Sequence, residues 1–121
     1  MSKRVLIVDD DELILIALKE LLKPQGYEVE TVARGNEALA KLERESYDLL
    51  ILDVIMPEMD GFELCRKIRG NDRHKDTPII FLTAKSREED RQKGMEVGAT
   101  LFLSKPISPD KLLALISEAL S

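Results

Sequence analysis

Leu49-Leu50-Ile51-Leu52 is a run of four apolar residues that ends in Asp53. A continuous apolar run this short reads as a strand buried on both faces, which is the signature of a parallel sheet covered by helices. The chain then turns away through Val54-Ile55-Met56-Pro57-Glu58-Met59-Asp60-Gly61. In open α/β sheets ligands bind in the crevice beyond the carboxyl ends of the strands, so Asp53 stands where chemistry is done. Asp also stops strands and opens turns, and the other strands decide between these readings.

Val5-Leu6-Ile7-Val8 is a second such run and ends in Asp9-Asp10-Asp11. Leu13, Ile14, Ala17, Leu18, Leu21 and Leu22 then recur with a helical period, so one stripe of that segment faces a core. One Asp of the triplet suffices as its N-cap, leaving the others unexplained. Pro24 and Gly26 end the helix. Tyr27 to Val32 alternates apolar and polar residues, as a half-exposed strand at a sheet edge does.

After Gly35-Asn36 comes a helix carrying Ala38, Leu39 and Leu42, closing near Ser46, and the central strand follows. Gly61 to Arg69 reads as a helix with Phe62, Leu64, Cys65 and Ile68 as its apolar members, Cys65 being a small core residue. Gly70 to Pro78 reads as a polar loop in which His74, the one histidine, is solvated and has no role. Ile79-Ile80-Phe81-Leu82 is another buried strand with Thr83 at its end. A helix capped near Ser86 and running through Val97 is poor in apolar residues, and Gly94 inside it costs about 1 kcal/mol relative to Ala. Leu101-Phe102-Leu103 is the last strand, ending at Ser104-Lys105-Pro106. Ser108-Pro109 fits an N-cap with Pro at the first helical position, and Leu112, Leu113, Leu115, Ile116, Ala119 and Leu120 form the final amphipathic helix.

Strand and helix alternate five times. This implies an α/β fold, a doubly wound (βα)5 arrangement with a five-stranded parallel sheet and right-handed crossovers. Residues 1–121 fit a single domain, with 44% hydrophobic residues enough for a globular core. With 18 Lys+Arg against 23 Asp+Glu, the net charge of −5 argues against broad electrostatic binding of nucleic acid. A single cysteine allows no internal disulfide and suits a reducing cytoplasm. No apolar run approaches a membrane span, and Met1-Ser2-Lys3-Arg4, with only Val5 to Val8 before three acids, does not read as a signal peptide.

The strand ends now line up. Asp9 and Asp10 end the first strand, Asp53 the third, Thr83 the fourth and Lys105 the fifth, all on one edge of a parallel sheet. Carboxylates held together disfavour one another's ionisation, and a divalent cation removes that conflict. All-oxygen donors favour Mg²⁺, Mn²⁺ or Ca²⁺. A nucleophile, a metal, a hydroxyl and a cation are what transfer of a phosphoryl group to a carboxylate requires.

On Val5-Leu6-Ile7-Val8-Asp9-Asp10, Asp53 to Gly61, Thr83-Ala84 and Lys105-Pro106, the chain resembles the receiver domains of two-component response regulators, the CheY-like family. The resemblance runs from residue 5 to residue 106, and the fifth helix completes the domain. It implies a flavodoxin-like sheet of strand order 2-1-3-4-5. Residue by residue, it implies that Asp53 accepts a phosphoryl group from the phosphohistidine of a sensor histidine kinase or phosphotransfer protein. It implies Mg²⁺, with Mn²⁺ a substitute, on Asp9, Asp10, Asp53 and the backbone carbonyl of Ile55. It implies that Lys105 contacts the phosphoryl group, that Thr83 moves toward it, that Phe102 follows by changing rotamer, and that the Lys105–Pro106 bond is cis. Phe102 lacks the hydroxyl of a Tyr at this position. Ile55 and Lys85, which line the path of hydrolytic water in the family, offer it no hydrogen-bonding base, so slow loss of phosphate is expected.

The resemblance further implies a signalling domain rather than an enzyme. It would act in the cytoplasm on a downstream protein or output domain through its fourth helix, last strand and fifth helix, as a monomer or a weak phosphorylation-dependent dimer, without touching nucleic acid or membrane. The chain stops just after the fifth helix, which suits either a stand-alone regulator or a receiver cut from a longer protein. A haloacid-dehalogenase-type phosphatase would want an Asp at position 55, and Ile55 stands there. A flavin-binding relative of the fold would want a hydroxyl- and Gly-rich phosphate loop where this chain has three acids.

Overall fold

A computed structural model describes residues 2–121. The amino-terminal reading at Met1 lies outside the described residues. The five strands are β1 (Arg4–Val8), β2 (Glu28–Val32), β3 (Leu49–Leu52), β4 (Ile79–Thr83) and β5 (Leu101–Ser104). The five helices are α1 (Glu12–Leu22), α2 (Gly35–Arg44), α3 (Gly61–Arg69), α4 (Glu88–Glu96) and α5 (Pro109–Leu120). All neighbouring strands pair in parallel, in the order β2-β1-β3-β4-β5. The doubly wound sheet inferred from the apolar runs is therefore the fold.

Alternation along the strands sorts the core into two layers. Leu6, Val8, Leu50, Leu52, Ile79 and Phe81 face α2, α3 and α4. Val5, Ile7, Leu49, Ile51, Ile80 and Leu82 face α1 and α5. Successive side chains of a strand point to opposite faces, so a strand covered on both sides must be apolar at every position. Each fully buried Leu, Ile or Phe contributes roughly 1.5–3 kcal/mol. The edge strand β2 differs: Val29 and Val32 are buried while Glu28 is exposed.

The helix ends follow their chemistry. Asp11 is the N-cap of α1 and accepts from the Leu13 N–H at 3.0 Å, so one acid of the triplet is accounted for. Pro24 lies in a 3-10 turn (Lys23–Gln25), closed by Gly26 at φ 95. Ser108 caps α5, with Pro109 at its first position. Helix α4 begins at Glu88 with Arg87 as its N-cap, one residue after Ser86, and the Asp90 carboxylate accepts from the Arg87 N–H at 3.1 Å and sets the entry there.

His74 corrects the reading of the polar loop. A 3-10 turn (Asp72–His74) folds the loop inward, and the imidazole is 1% exposed, with Nε2 3.0 Å from the Leu42 carbonyl. Its charged neighbours made the segment look solvated, but the turn points the His74 side chain inward. Cys65 is buried in α3 with its thiol against the Val97 carbonyl at 3.4 Å, and burial pushes the thiol up to about 11, so it is an inert core residue.

Candidate functional site

The chain leaves β1 toward β2 and leaves β3 toward β4, on opposite sides. The crevice that this reversal opens lies between the carboxyl ends of β1 and β3. Register puts Val8 beside Leu52, so Asp9 and Asp53 come next on adjacent strands. Asp53 extends the ladder by donating its N–H to the Val8 carbonyl at 3.0 Å, and Asp9 donates to the Val32 carbonyl at 3.2 Å. The positions of both acids are thus fixed by sheet hydrogen bonds.

Each acid keeps one oxygen for the backbone and one for the crevice. Asp53 Oδ1 accepts from the Val54 N–H at 2.7 Å, and Asp9 Oδ1 accepts from the Asp11 N–H at 2.9 Å. Lys105 Nζ donates to Asp9 Oδ2 at 2.8 Å and faces Asp53 Oδ2 at 3.4 Å. Lys105 reaches this point because its N–H donates to the Thr83 carbonyl at 2.9 Å, which carries β5 one step past its end. The Lys105–Pro106 peptide bond is cis.

Charge is crowded here. Carboxylate oxygens of Asp9, Asp10 and Asp53 lie within 4.8 Å of one another, and Asp9 and Asp53 are buried while Asp10 is exposed. Burial, with the Asp53 charge beside it, raises the Asp9 carboxyl above its ordinary value despite the hydrogen bond from Lys105. Burial works to lower Lys105, but the hydrogen bond to Asp9 and the two negative charges outweigh it and hold the ammonium above its usual range. Lys105 pairs with two of these three carboxylates, so the site has an unmet demand for positive charge. Hard oxygen donors, few of them, match Mg²⁺ or Mn²⁺, and the residues present fit such an ion.

Gly61 backs the site. Its N–H donates to the Val54 carbonyl at 2.8 Å, and a Cβ there would collide with the Asp53 carbonyl. Only glycine lets α3 start this close to the acid. In the intervening loop Glu58 takes φ 71, an uncommon conformation for a side-chain-bearing residue. Its carboxylate pairs with Arg34 at 2.7 Å.

The remaining residues singled out in the sequence have the following surroundings. Thr83 is fully buried at the end of β4, and its hydroxyl accepts from the Lys85 N–H at 3.1 Å. Ile55 is 56% exposed beside the crevice, and its N–H is 3.4 Å from Asp53 Oδ1. The Lys85 ammonium is drawn to Asp90 at 3.7 Å. Phe102 is buried against Phe81, ring centroids 5.6 Å apart. The packing role of Gly61 was not legible in the sequence, where it read as the start of a helix.

Comparison with known proteins shows the family and the fold. The profile of the response regulator receiver domain matches residues 5–117. PhoP, the alkaline phosphatase synthesis transcriptional regulatory protein of Bacillus subtilis, is 42% identical over 120 residues, covering 99% of this chain and 49% of PhoP. This chain thus spans about half the length of the first curated relatives it matches. Among solved structures, the chemotaxis response regulator CheY4 of Vibrio cholerae superimposes with a TM-score of 0.93 at 42% identity, covering 99% of this chain and 100% of the other. A BeF3-activated DrrB receiver domain superimposes with a TM-score of 0.90 at 35% identity, covering 99% of this chain and 98% of the other.

Proposed function

This chain belongs to the response regulator receiver domain family, and from that premise we propose that it is a phosphorylation-controlled switch whose phosphoacceptor is Asp53. The observation that carries the reading is the placement of Asp53 Oδ2, 3.4 Å from Lys105 Nζ, at the mouth of a crevice rich in carboxylates. A carboxylate oxygen attacks the phosphorus of a phosphohistidine on a sensor kinase or phosphotransfer protein. The new O–P bond forms as the N–P bond breaks, and the imidazole leaves. Lys105 provides a compact cation for the incoming phosphoryl oxygens. Asp9, Asp10, Asp53 and the Ile55 carbonyl would hold Mg²⁺, or Mn²⁺ in its place, which supplies Lewis-acid neutralisation of phosphoryl charge when bound.

The acyl phosphate then draws the Thr83 hydroxyl toward it, and Phe102 follows. The resulting change is read by a downstream protein or output domain on the surface of α4, β5 and α5, with the protein a monomer or a weak phosphorylation-dependent dimer. Among the described residues no helix is long and apolar enough to cross a membrane. We place the switch in the cytoplasm as one receiver domain over residues 1–121, contacting neither nucleic acid nor membrane. It takes part in its own phosphorylation and slow dephosphorylation and is otherwise a signalling domain rather than an enzyme.

Incubation with acetyl phosphate and Mg²⁺ tests this. One acid-labile phosphoryl group is expected per chain by intact mass, with none in Asp53→Asn. Incorporation in that variant equal to the parent would place the acceptor elsewhere, and continuous release of inorganic phosphate would favour a phosphatase.

A further inference from the structure

Gly94 lies in the middle of α4, where an exposed-helix glycine is a liability relative to Ala. It is nevertheless buried. A Cβ built there would stand 2.5 Å from Phe102 Cδ2 and 2.9 Å from Phe102 Cε2. Real Cβ atoms do not come that close, so an alanine and the inward ring compete for one space. The other contacts of Phe102 hold it there. Its ring meets Phe81, the Arg91 guanidinium lies 5.5 Å from the ring centroid, and Arg91 Nη1 donates to the Phe102 carbonyl at 2.8 Å. Phe102 also borders a surface depression shared with Arg91, Ser104, Ser108 and Lys111.

We propose that Gly94 is a positioning residue for the switch: the side chain it lacks is the seat of the inward Phe102 ring, and Arg91, one turn earlier on α4, latches the ring in that seat. This rests on the reading of Phe102 as the switch residue. It adds that the inward state exists only because α4 carries glycine at this position. The ring and α4 then move as a unit, since any displacement of α4 opens or closes the seat. Arg91 touches both the ring and its backbone and so ties β5 to the helix that the partner reads.

The test uses the full chain with its three phenylalanines replaced by fluorophenylalanine. Phe62 and Phe81 serve as buried references, and Phe102→Leu assigns the third resonance. In the parent the Phe102 signal should be shielded from a soluble paramagnetic agent. In Gly94→Ala it should become several-fold more accessible while the references do not change, and affinity for beryllofluoride with Mg²⁺ should fall by roughly tenfold, as a population shift away from the competent state requires. A ring that stays shielded in Gly94→Ala overturns the seat. An exposed ring with unchanged beryllofluoride affinity keeps the seat and overturns the coupling of Phe102 to Asp53.

Should Gly94→Ala unfold the chain, the background lacking the ring decides. Gly94→Ala with Phe102→Ala should melt no lower than Phe102→Ala alone, because without the ring alanine is simply the better helix former. A lower melting temperature for the double variant overturns the proposal.

Discussion

Two clusters of charge sit toward opposite edges of the same sheet. Near the amino-terminal edge, Glu30 accepts from Arg4 at 2.7 Å, Lys41 at 2.8 Å and the Tyr47 hydroxyl at 2.7 Å. Arg4 also pairs with Glu45 and lies 4.6 Å from the centroid of the Tyr47 ring. Acids and bases balance there. The hydrogen bond from Lys41 first, then those from Tyr47 and Arg4, hold the Glu30 carboxyl at about 2. At the carboxyl edge Asp9 and Asp53 share Lys105 with Asp10 crowded beside them, and burial raises Asp9 rather than lowering it. The same physics gives opposite signs. A cluster whose charges are matched stabilises the fold, and one whose charges are unmatched destabilises it until a ligand supplies what is missing.

The largest expected contrast is in the response to metal. Mg²⁺ at ten times its dissociation constant should stabilise the parent by about 1.4 kcal/mol. In Asp10→Ala this gain should nearly vanish, while in Glu30→Ala it should persist in full. A thermal-melt titration with and without Mg²⁺ reads both, and an unchanged gain in Asp10→Ala would remove that acid from the metal set.

Comparable in size is the cost of breaking the balanced cluster. Glu30→Ala leaves Tyr47, Lys41 and Arg4 without their shared acceptor and should destabilise by about 1–2 kcal/mol, the ion-pair part being screened because the site is partly exposed. The lowered carboxyl pKa gives a sign for pH. The Glu30 contribution is fully present above the ordinary value of 4.5 and is lost as pH falls toward about 2. Denaturant melts of Glu30→Ala should therefore converge on the parent as pH falls through that window, and parallel curves would mean that the cluster does not titrate as a unit.

The third effect is smaller and opposite. Because Asp9 is raised, its ionised form is disfavoured in the folded state, so its contribution is most favourable below the ordinary value of 3.8 and is lost as pH rises through the raised value. At neutral pH without Mg²⁺, Asp9→Asn should melt slightly above the parent, and with Mg²⁺ below it. A variant that melts lower under both conditions would mean that the pairing of Asp9 with Lys105 outweighs the crowding.

The smallest expected effect is on phosphate lifetime. On the reading that Ile55 and Lys85 line the path of hydrolytic water, neither offers it a base, and Ile55→Asn with Lys85→Glu should speed loss of the acyl phosphate several-fold. Equal decay rates in parent and double variant would assign those side chains to solvent alone.

What the sequence determined by itself is the sheet and the edge on which chemistry is possible. Runs such as Val5 to Val8 and Leu49 to Leu52 have only one stable setting, buried between two helical layers, and a strand that ends in Asp must present it at the carboxyl edge. The periodicity of apolar residues is a local property, so it was legible residue by residue. Tertiary structure alone decided the rest. His74, among charged neighbours, is buried because a 3-10 turn folds it onto the Leu42 carbonyl. Gly61 and Gly94 look alike in the chain, yet one admits the Asp53 backbone and the other the Phe102 ring. Glu30 lies within a strand and Asp9 just past the end of one, and what separates a matched charge from an unmatched one is which distant residues reach it. Such partners lie tens of residues away, and contacts between them exist only once the helices have packed on the sheet.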